Sequence, residues 1–321
     1  MTTVPTYAPP AVAPGHLAGV PAPRPARSPL TQSPTLQPPA LQASPVQAPA
    51  LQPPALQAPA FQTPAFQAPA VQAPAAYTVS LARDEDDVRA AQRLRHQVFA
   101  AELGAVLHSP LPGLDVDPFD AYCDHLLVRQ GEDGPVVGTY RLLRPEAARR
   151  AGRLYSDSEF DLAGLAPIRD DLVELGRSCI HPDHRGNGAV INLMWGGIAR
   201  YLADTGHTWV GGCCSIPLED GGATAARVWD TVSAKHLAPE GYRVTPHRPW
   251  DPTGVPRAER AALPALLRGY LRLGAWVCGA PAHDPDFATA DLYVLLSMER
   301  TDPRYLRHFL SGAAAQPGTG S

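Results

Sequence analysis

Lysine is almost missing from this sequence: Lys235 is the only one in 321 residues. Chemistry that needs a lysine Schiff base would have to run through that single side chain. Cysteine is scarce as well. Cys123, Cys179, Cys213, Cys214 and Cys278 are odd in number and contain no C-x-x-C pair. That pattern excludes zinc ribbons and disulfide scaffolds, and reduced, mostly buried thiols suit the cytoplasm. No stretch approaches the roughly 18 uninterrupted apolar residues of a spanning helix. No basic segment followed by an apolar run suggests a secretory signal. Acidic residues are absent from positions 1–76, where the only charged side chains are Arg24 and Arg27. The remainder carries 25 basic and 31 acidic residues, a formal charge of −6. Such a chain lacks the basic face that nucleic acid requires, so nucleic acid is not expected as a partner. An acidic partner would need a local patch of arginine.

Proline, by contrast, is abundant at one end. Residues 1–76 hold 19 of the 37 prolines, and residues 36–75 read as eight pentads from LQPPA to VQAPA. Proline fixes φ and offers no N–H, so neither helix nor ladder propagates at this density. The sequence predicts a disordered, extended tail acting as a spacer over 1–76. A docking ligand is the weaker reading, because no P-x-x-P site there has a flanking arginine cluster. Residues 312–321, GAAAQPGTGS, are predicted to be a second disordered tail.

Between the tails, residues 77–311 read as one α+β domain. Tyr77–Ala82 alternates like a strand. Asp84 caps a helix with Glu85, Asp86 and Asp87 in its first turn, and Val88, Ala91, Leu94, Val98 and Phe99 recur at helical spacing up to Gly104. An acidic loop follows, with Asp115, Asp117 and Asp120. Two strands then flank the turn G-E-D-G at Gly131–Gly134. Further strands are predicted at Leu172–His181, His207–Ile216, near Ala275–Gly279 and near Leu292–Met298. Helices are predicted at Ala189–Ala203 and Leu263–Leu273, with a short one after the R-L-L strand. The order predicts a mixed β-sheet flanked by helices.

The chemistry concentrates in V-E-L-G-R-S-C-I-H-P-D-H-R-G-N-G-A-V, Val173–Val190. A strand runs into a glycine-containing turn at a helix start, where backbone N–H groups favour phosphate. Arg185, Gly186 and Gly188 form R-x-x-G there. His181 and His184 bracket Pro182-Asp183, but no third and fourth metal ligands lie nearby, so no metal is expected. Ser178 does not complete G-x-S-x-G, which leaves a hydrolase elbow unsupported. Cys179 follows Arg177 closely, yet a buried core thiol outweighs an acyl-accepting nucleophile. Gly196 and Gly197 inside a helix point to close packing on the sheet.

R-x-x-G at Arg185–Gly188 resembles the pyrophosphate loop of the GNAT acyltransferase superfamily. A broader likeness covers most of 77–311. R-H-Q-V-F at Arg95–Phe99, D-P-F-D at Asp117–Asp120, V-G-T-Y-R-L-L at Val137–Leu143, Y-S-D-S-E-F-D-L at Tyr155–Leu162, E-L-G-R-S-C at Glu174–Cys179 and G-C-C-S-I-P at Gly212–Pro217 resemble the hemolysin-like ornithine Nα-acyltransferases of ornithine-lipid synthesis. The chain is similar, more distantly, to acyl-homoserine-lactone synthases. The resemblance implies transfer of a fatty or 3-hydroxy fatty acyl group from acyl carrier protein to the α-amine of ornithine. No permanently bound cofactor is implied; the acyl-phosphopantetheine thioester, on carrier protein or on coenzyme A, is a substrate. It implies a cytoplasmic protein, with peripheral contact at the inner membrane face through its lipid product.

The same resemblance makes Glu174 the general base, with Arg177 either binding the amino acid's carboxylate or holding Glu174. It places Arg95, Phe99, Asp117, Asp120, Arg141 and Phe160 around the substrate, and Ser178, Cys179, Ile180, Arg185, Gly186 and Gly188 around the donor. Read as residues alone, Glu174 and Arg177 form a structural ion pair at least as readily. Three positions apart in a strand they face opposite sides, so a direct pair would need a bulge. Asp117 and Asp120 either meet a cationic amine or fix Arg95 and Arg141, while Phe99 and Phe160 suit a core. Two rival functions remain open: a coenzyme A-dependent N-acetyltransferase of a small amine, and a noncatalytic interaction protein using the Pro-rich arm.

Overall fold

The computed structural model describes residues 77–185, 188–260, 262–302 and 304. Both expected tails, and Gly186 of the phosphate-type loop, lie outside the described residues.

Strand β1 (Tyr77–Leu81) leads into helix α1 (Glu85–His96), whose N-cap Asp84 accepts the Asp87 N–H at 2.9 Å. The sequence predicts one helix as far as Gly104. Instead α1 gives way to a π-helical stretch, Gln97–Glu102, before the chain turns at Gly104 with φ of +72°. Strands β2 (Asp124–Gln130) and β3 (Val136–Leu143) form the expected hairpin, followed by short helix α2 (Pro145–Ala151). Next come β4 (Phe160–Asp161), β5 (Leu172–Ile180), α3 (Ala189–Thr205) and β6 (Trp209–Pro217). Helix α4 (Ala223–Lys235), β7 (Thr245–Pro246) and α5 (Ala265–Arg272) precede β8 (Trp276–Val277), β9 (Ala282–Asp284) and β10 (Thr289–Ser297).

The main sheet runs β1-β2-β3-β5-β6-β10-β8, with β9 also on β10. Among the described residues its one parallel strand pair is β5–β6, joined through α3. One face carries α3, α4 and α5 over an apolar layer that includes Leu175, Cys214 and Val294. A second cluster, including Phe160, Leu172 and Tyr293, builds around α2 and the short β4–β7 ladder. Gly197 lets α3 sit on the sheet: a Cβ there would fall 2.8 Å from Leu126 Cδ1 and 2.9 Å from Val79 Cγ2. Close packing therefore accounts for that glycine, in line with its sequence reading.

Candidate active site

Two irregularities in the sheet create the site. The first is the short β5–β6 pairing, which covers only Leu172↔Trp209, Val173↔Val210 and Glu174↔Gly211. Beyond that point the strands splay. Gly212 stands at the fork, because a Cβ there would lie 2.2 Å from the Leu175 carbonyl oxygen. The second is a bulge in β5. Thr139 faces Cys179 and Arg141 faces Gly176, so the stretch through Arg177 and Ser178 carries one extra residue. Arg177 adopts φ of +51°, the left-handed region. This is costly for a non-glycine residue and turns its side chain out of the regular alternation.

A cavity of about 450 Å³ occupies the splay. Neighbouring strand residues point to opposite faces, yet Cys213 and Cys214 both line it, as do Asp291 and Val294. The cavity therefore passes through the plane of the sheet. Its two ends differ in chemistry. On the helix-covered face the walls are apolar, with Leu175, Val210, Cys214, Leu266, Val294 and Leu296. Tyr140 and Tyr270 join their hydroxyls in a hydrogen bond at this end. On the other face stand Arg141, Tyr155, Arg177, Asp284, Phe287 and Asp291.

The arginines are held by a buried acidic loop. Arg95 is fully buried and pairs with Asp115 at 2.9 Å and Asp120 at 2.6 Å. Arg141 bonds Asp117 at 2.5 Å and Asp120 at 3.1 Å. Arg177 meets Asp115 at 3.2 Å and Asp117 at 3.4 Å. Burial would raise the Asp117 and Asp120 carboxyls, but the guanidinium partners overcome it and hold both below the usual carboxylate range. Of the two sequence alternatives for these aspartates, the geometry supplies the arginine-fixing one. The Arg177 guanidinium also lies between the Tyr155 and Phe287 rings, 5.4 and 5.1 Å from their centroids. Such a plate presents fixed N–H donors to a carboxylate.

Glu174 makes no ion pair with Arg177 among the described residues. It is 4 % exposed and accepts the N–H of Tyr155 at 2.7 Å and of Ser156 at 2.9 Å. Burial raises its carboxyl above the usual range, against the opposing pull of those bonds. Glu174 does not line the cavity. It lies one residue behind it, since Ser156 Oγ sits 3.3 Å from Sγ of the wall residue Cys213.

The other expected site residues divide sharply. Phe99, Arg141, Arg177 and Ser178 reach the cavity; Arg95, Asp117, Asp120 and Phe160 stand behind it. Phe160 packs edge-on against Tyr293 in the second core cluster. Cys179 is buried, and burial pushes its thiol up to about 12, which is unfavourable for a thiolate nucleophile. Ile180 packs against the main core. Arg185 is committed to Glu102, at 2.5 and 2.8 Å, and to the Ile180 carbonyl. Gly188, at φ of +67°, opens α3.

Residues 94–196 match the family described as an acetyltransferase (GNAT) domain. The L-ornithine N(alpha)-acyltransferase of Rhodobacter capsulatus is 37% identical over 246 residues, spanning 72% of this chain and 93% of that protein. The chain belongs to the L-ornithine N(alpha)-acyltransferase family. The protein of that name in Rhizobium meliloti is 37% identical over 71% of this chain and 82% of its own length. Among solved structures, the CoA-dependent acyl-homoserine lactone synthase BjaI aligns at 18% identity with a TM-score of 0.44, over 72% of this chain and 83% of that one. Membership of that family makes the protein an N-acyltransferase, and it has the mixed sheet and helices of the GNAT fold.

For this acyltransferase, sequence reading missed one constellation. Glu159, Cys213 and Asp291 bring their ligand atoms within 4.8 Å of one another. They come from three distant segments, so no local spacing could have announced them.

Proposed function

We propose that this acyltransferase joins a fatty or 3-hydroxy fatty acyl group, carried on acyl carrier protein, to the α-amine of ornithine, the first step of ornithine-lipid synthesis. The observation behind this reading is the two-ended cavity: an apolar end for the acyl chain and a charged end for an amino acid, meeting where β5 and β6 part. Arg177 takes the acceptor carboxylate on its aromatic-framed guanidinium. Backbone N–H groups released by the bulge beside Ser178 face the thioester oxygen as it gains charge. Only the neutral amine attacks. As the C–N bond forms the amine's proton passes toward Glu174, directly or through water, and the C–S bond breaks to release the phosphopantetheine thiolate, which takes that proton up as it leaves. The thioester is a substrate, and the residues described retain no cofactor in this scheme.

Carrier-protein docking falls to the arginines around α2. Arg144 is engaged by Asp124 and Glu146, and Arg149 by Asp170, while Arg150 and Arg153 are exposed. The exposed Leu103 and Val106 beside the cavity support peripheral contact of the protein with a membrane that receives the product. No helix among the described residues is long and apolar enough to cross a membrane.

The test supplies purified protein with ornithine and either acetyl-coenzyme A or a long acyl chain on acyl carrier protein or coenzyme A, and follows N-acylornithine by mass spectrometry. Faster amide formation from the carrier protein is expected. Preference for acetyl-coenzyme A would favour the N-acetyltransferase reading, and absence of amide from every thioester would refute both.

A further inference from the structure

The charged end of the cavity has an acidic side that the transfer chemistry leaves unused. Asp291 lies on β10 and Asp284 on β9, and both line the cavity. Their register places them on one face: Asp284 pairs with Thr289, and Asp291 pairs with Ala282. Glu159 stands behind them. Solvent does not reach its carboxylate oxygens, and its hydrogen-bonding neighbours are Asp291 and Cys213 rather than any cation. Asp291 is 3 % exposed, and its Oδ1 accepts the Thr289 hydroxyl at 2.6 Å. Asp284 uses Oδ1 to hold the Asp286 and Phe287 N–H groups. Two carboxylates thus stand on one stretch of wall with a third behind them, and among the described residues none of the three forms an ion pair with arginine or lysine. A cluster of buried carboxylates without a cation is strongly unfavourable unless something supplies positive charge to it.

An alkylammonium does so. It carries one positive charge and three N–H donors on a tetrahedral nitrogen. Arg177, which takes the α-carboxylate in the function proposed above, lines the same cavity, and Phe287 links the two regions: its ring stacks on Arg177 and its N–H bonds Asp284. We propose that Asp291, Asp284 and Glu159 form a subsite for the side-chain ammonium of a diamino acid, so that this enzyme selects its acceptor by the second amine. The inference rests on the amino-acid acceptor reading and adds what determines its specificity. Burial and the neighbouring acids raise both the Glu159 and the Asp291 carboxyl, and a cation in contact with them would relieve that repulsion.

The experiment compares acceptors that differ only at the side-chain end. Ornithine and norvaline share the carboxylate, the α-amine and a three-carbon side chain, but norvaline has no terminal amine. With a long-chain acyl thioester, kcat/KM for ornithine should exceed that for norvaline by on the order of 100-fold in the wild type, because a site built around a polar group rejects the analogue lacking it. In Glu159→Gln and Asp291→Asn the ratio should collapse below ~10, chiefly through KM for ornithine. Asp284→Asn, at the more exposed position, gives a third variant should either buried change impair folding. Equal use of both acceptors by the wild type would overturn the subsite while leaving the acyltransferase reading intact. A fall in both acceptors by the same factor in the variants would also overturn it. Loss of activity on chelation, restored by a divalent ion, would reassign the Glu159–Cys213–Asp291 group to a metal and refute the proposal. If the wild type acylated no amino acid at all, the failure would lie in the function itself.

Discussion

Replacing Glu174 by Gln separates a base from a structural clamp. The native carboxylate accepts two buried N–H groups, from Tyr155 and Ser156. A glutamine keeps one acceptor oxygen and turns an NH2 toward the other N–H. One buried donor is then left unsatisfied, at about 1–3 kcal/mol. Removing a carboxylate that burial already disfavours offsets part of this. The net expectation is a loss of about 2 kcal/mol, or roughly 4–8 °C in Tm for a domain of this size. The variant should therefore fold, while turnover at pH 7 falls ~100-fold or more, about 2.7 kcal/mol in the barrier. Calorimetry and amide formation are measured on the same preparation. The pH profile carries the distinction. Without its base the enzyme depends on free neutral amine, so variant activity should climb steeply as pH rises, and the gap to wild type should narrow. A clamp that merely positions Tyr155 would lower the whole profile by one factor. Near-normal turnover despite the lower Tm would remove Glu174 from the chemistry.

Three further outcomes are expected. Gly212→Ala puts a Cβ 2.2 Å from the Leu175 carbonyl oxygen, where only backbone could yield, so it should cost about 3 kcal/mol and most activity; chemical denaturation checks this. Glu159 and Asp291 bind protons more tightly folded than unfolded, at about 9 and about 6 against ordinary values of 4.5 and 3.8. The unliganded protein should therefore lose stability as pH rises from about 4 to about 9, and Glu159→Gln should flatten that slope and raise Tm at pH 8. Arg149→Glu with Arg150→Glu should slow transfer from acyl carrier protein, with little change for a small acyl thioester, and the wild-type rate on carrier protein should fall with salt; equal loss with both donors would assign these arginines to the fold.

Local signals account for what was legible in the sequence. Alternation gave β1, the turn G-E-D-G gave the β2–β3 hairpin, and Asp84 with its acidic first turn gave the start of α1. The motif stretch gave β5 and α3 nearly residue for residue. Helix α4 was not read. Its cap is supplied by Asp220, which accepts the Gly222 and Thr224 N–H groups, while Gly222 at φ of +83° precedes Thr, Val, Trp and Ser residues of modest helix propensity. The π-helical stretch was hidden for a similar reason, since Val98 and Phe99 keep a helical spacing whichever hydrogen bonds form. The bulge was foreseen only as a condition for pairing Glu174 with Arg177. It occurs, yet it sends Arg177 to Asp115 and Asp117 instead. Long-range assembly was the least legible: Cys213 and Asp291 meet because β6 and β10 are neighbours, and Glu159 joins them from the turn just before β4.

The passage through the sheet also constrains departure. In the function proposed here, substrates approach from opposite faces, each entering the end that suits it. Their product has a charged head and a greasy tail joined across the fork where β5 and β6 part. In the function proposed here such a molecule lies like a thread in a needle's eye, and it must slide out lengthwise. Withdrawal toward the polar face drags the whole acyl chain past Arg177 and its aromatic frame. Withdrawal toward the apolar face carries a zwitterion-sized head through hydrocarbon walls. Each added methylene lengthens the first route and leaves the second unchanged. Release, more than bond formation, would then set the longest chain this enzyme turns over.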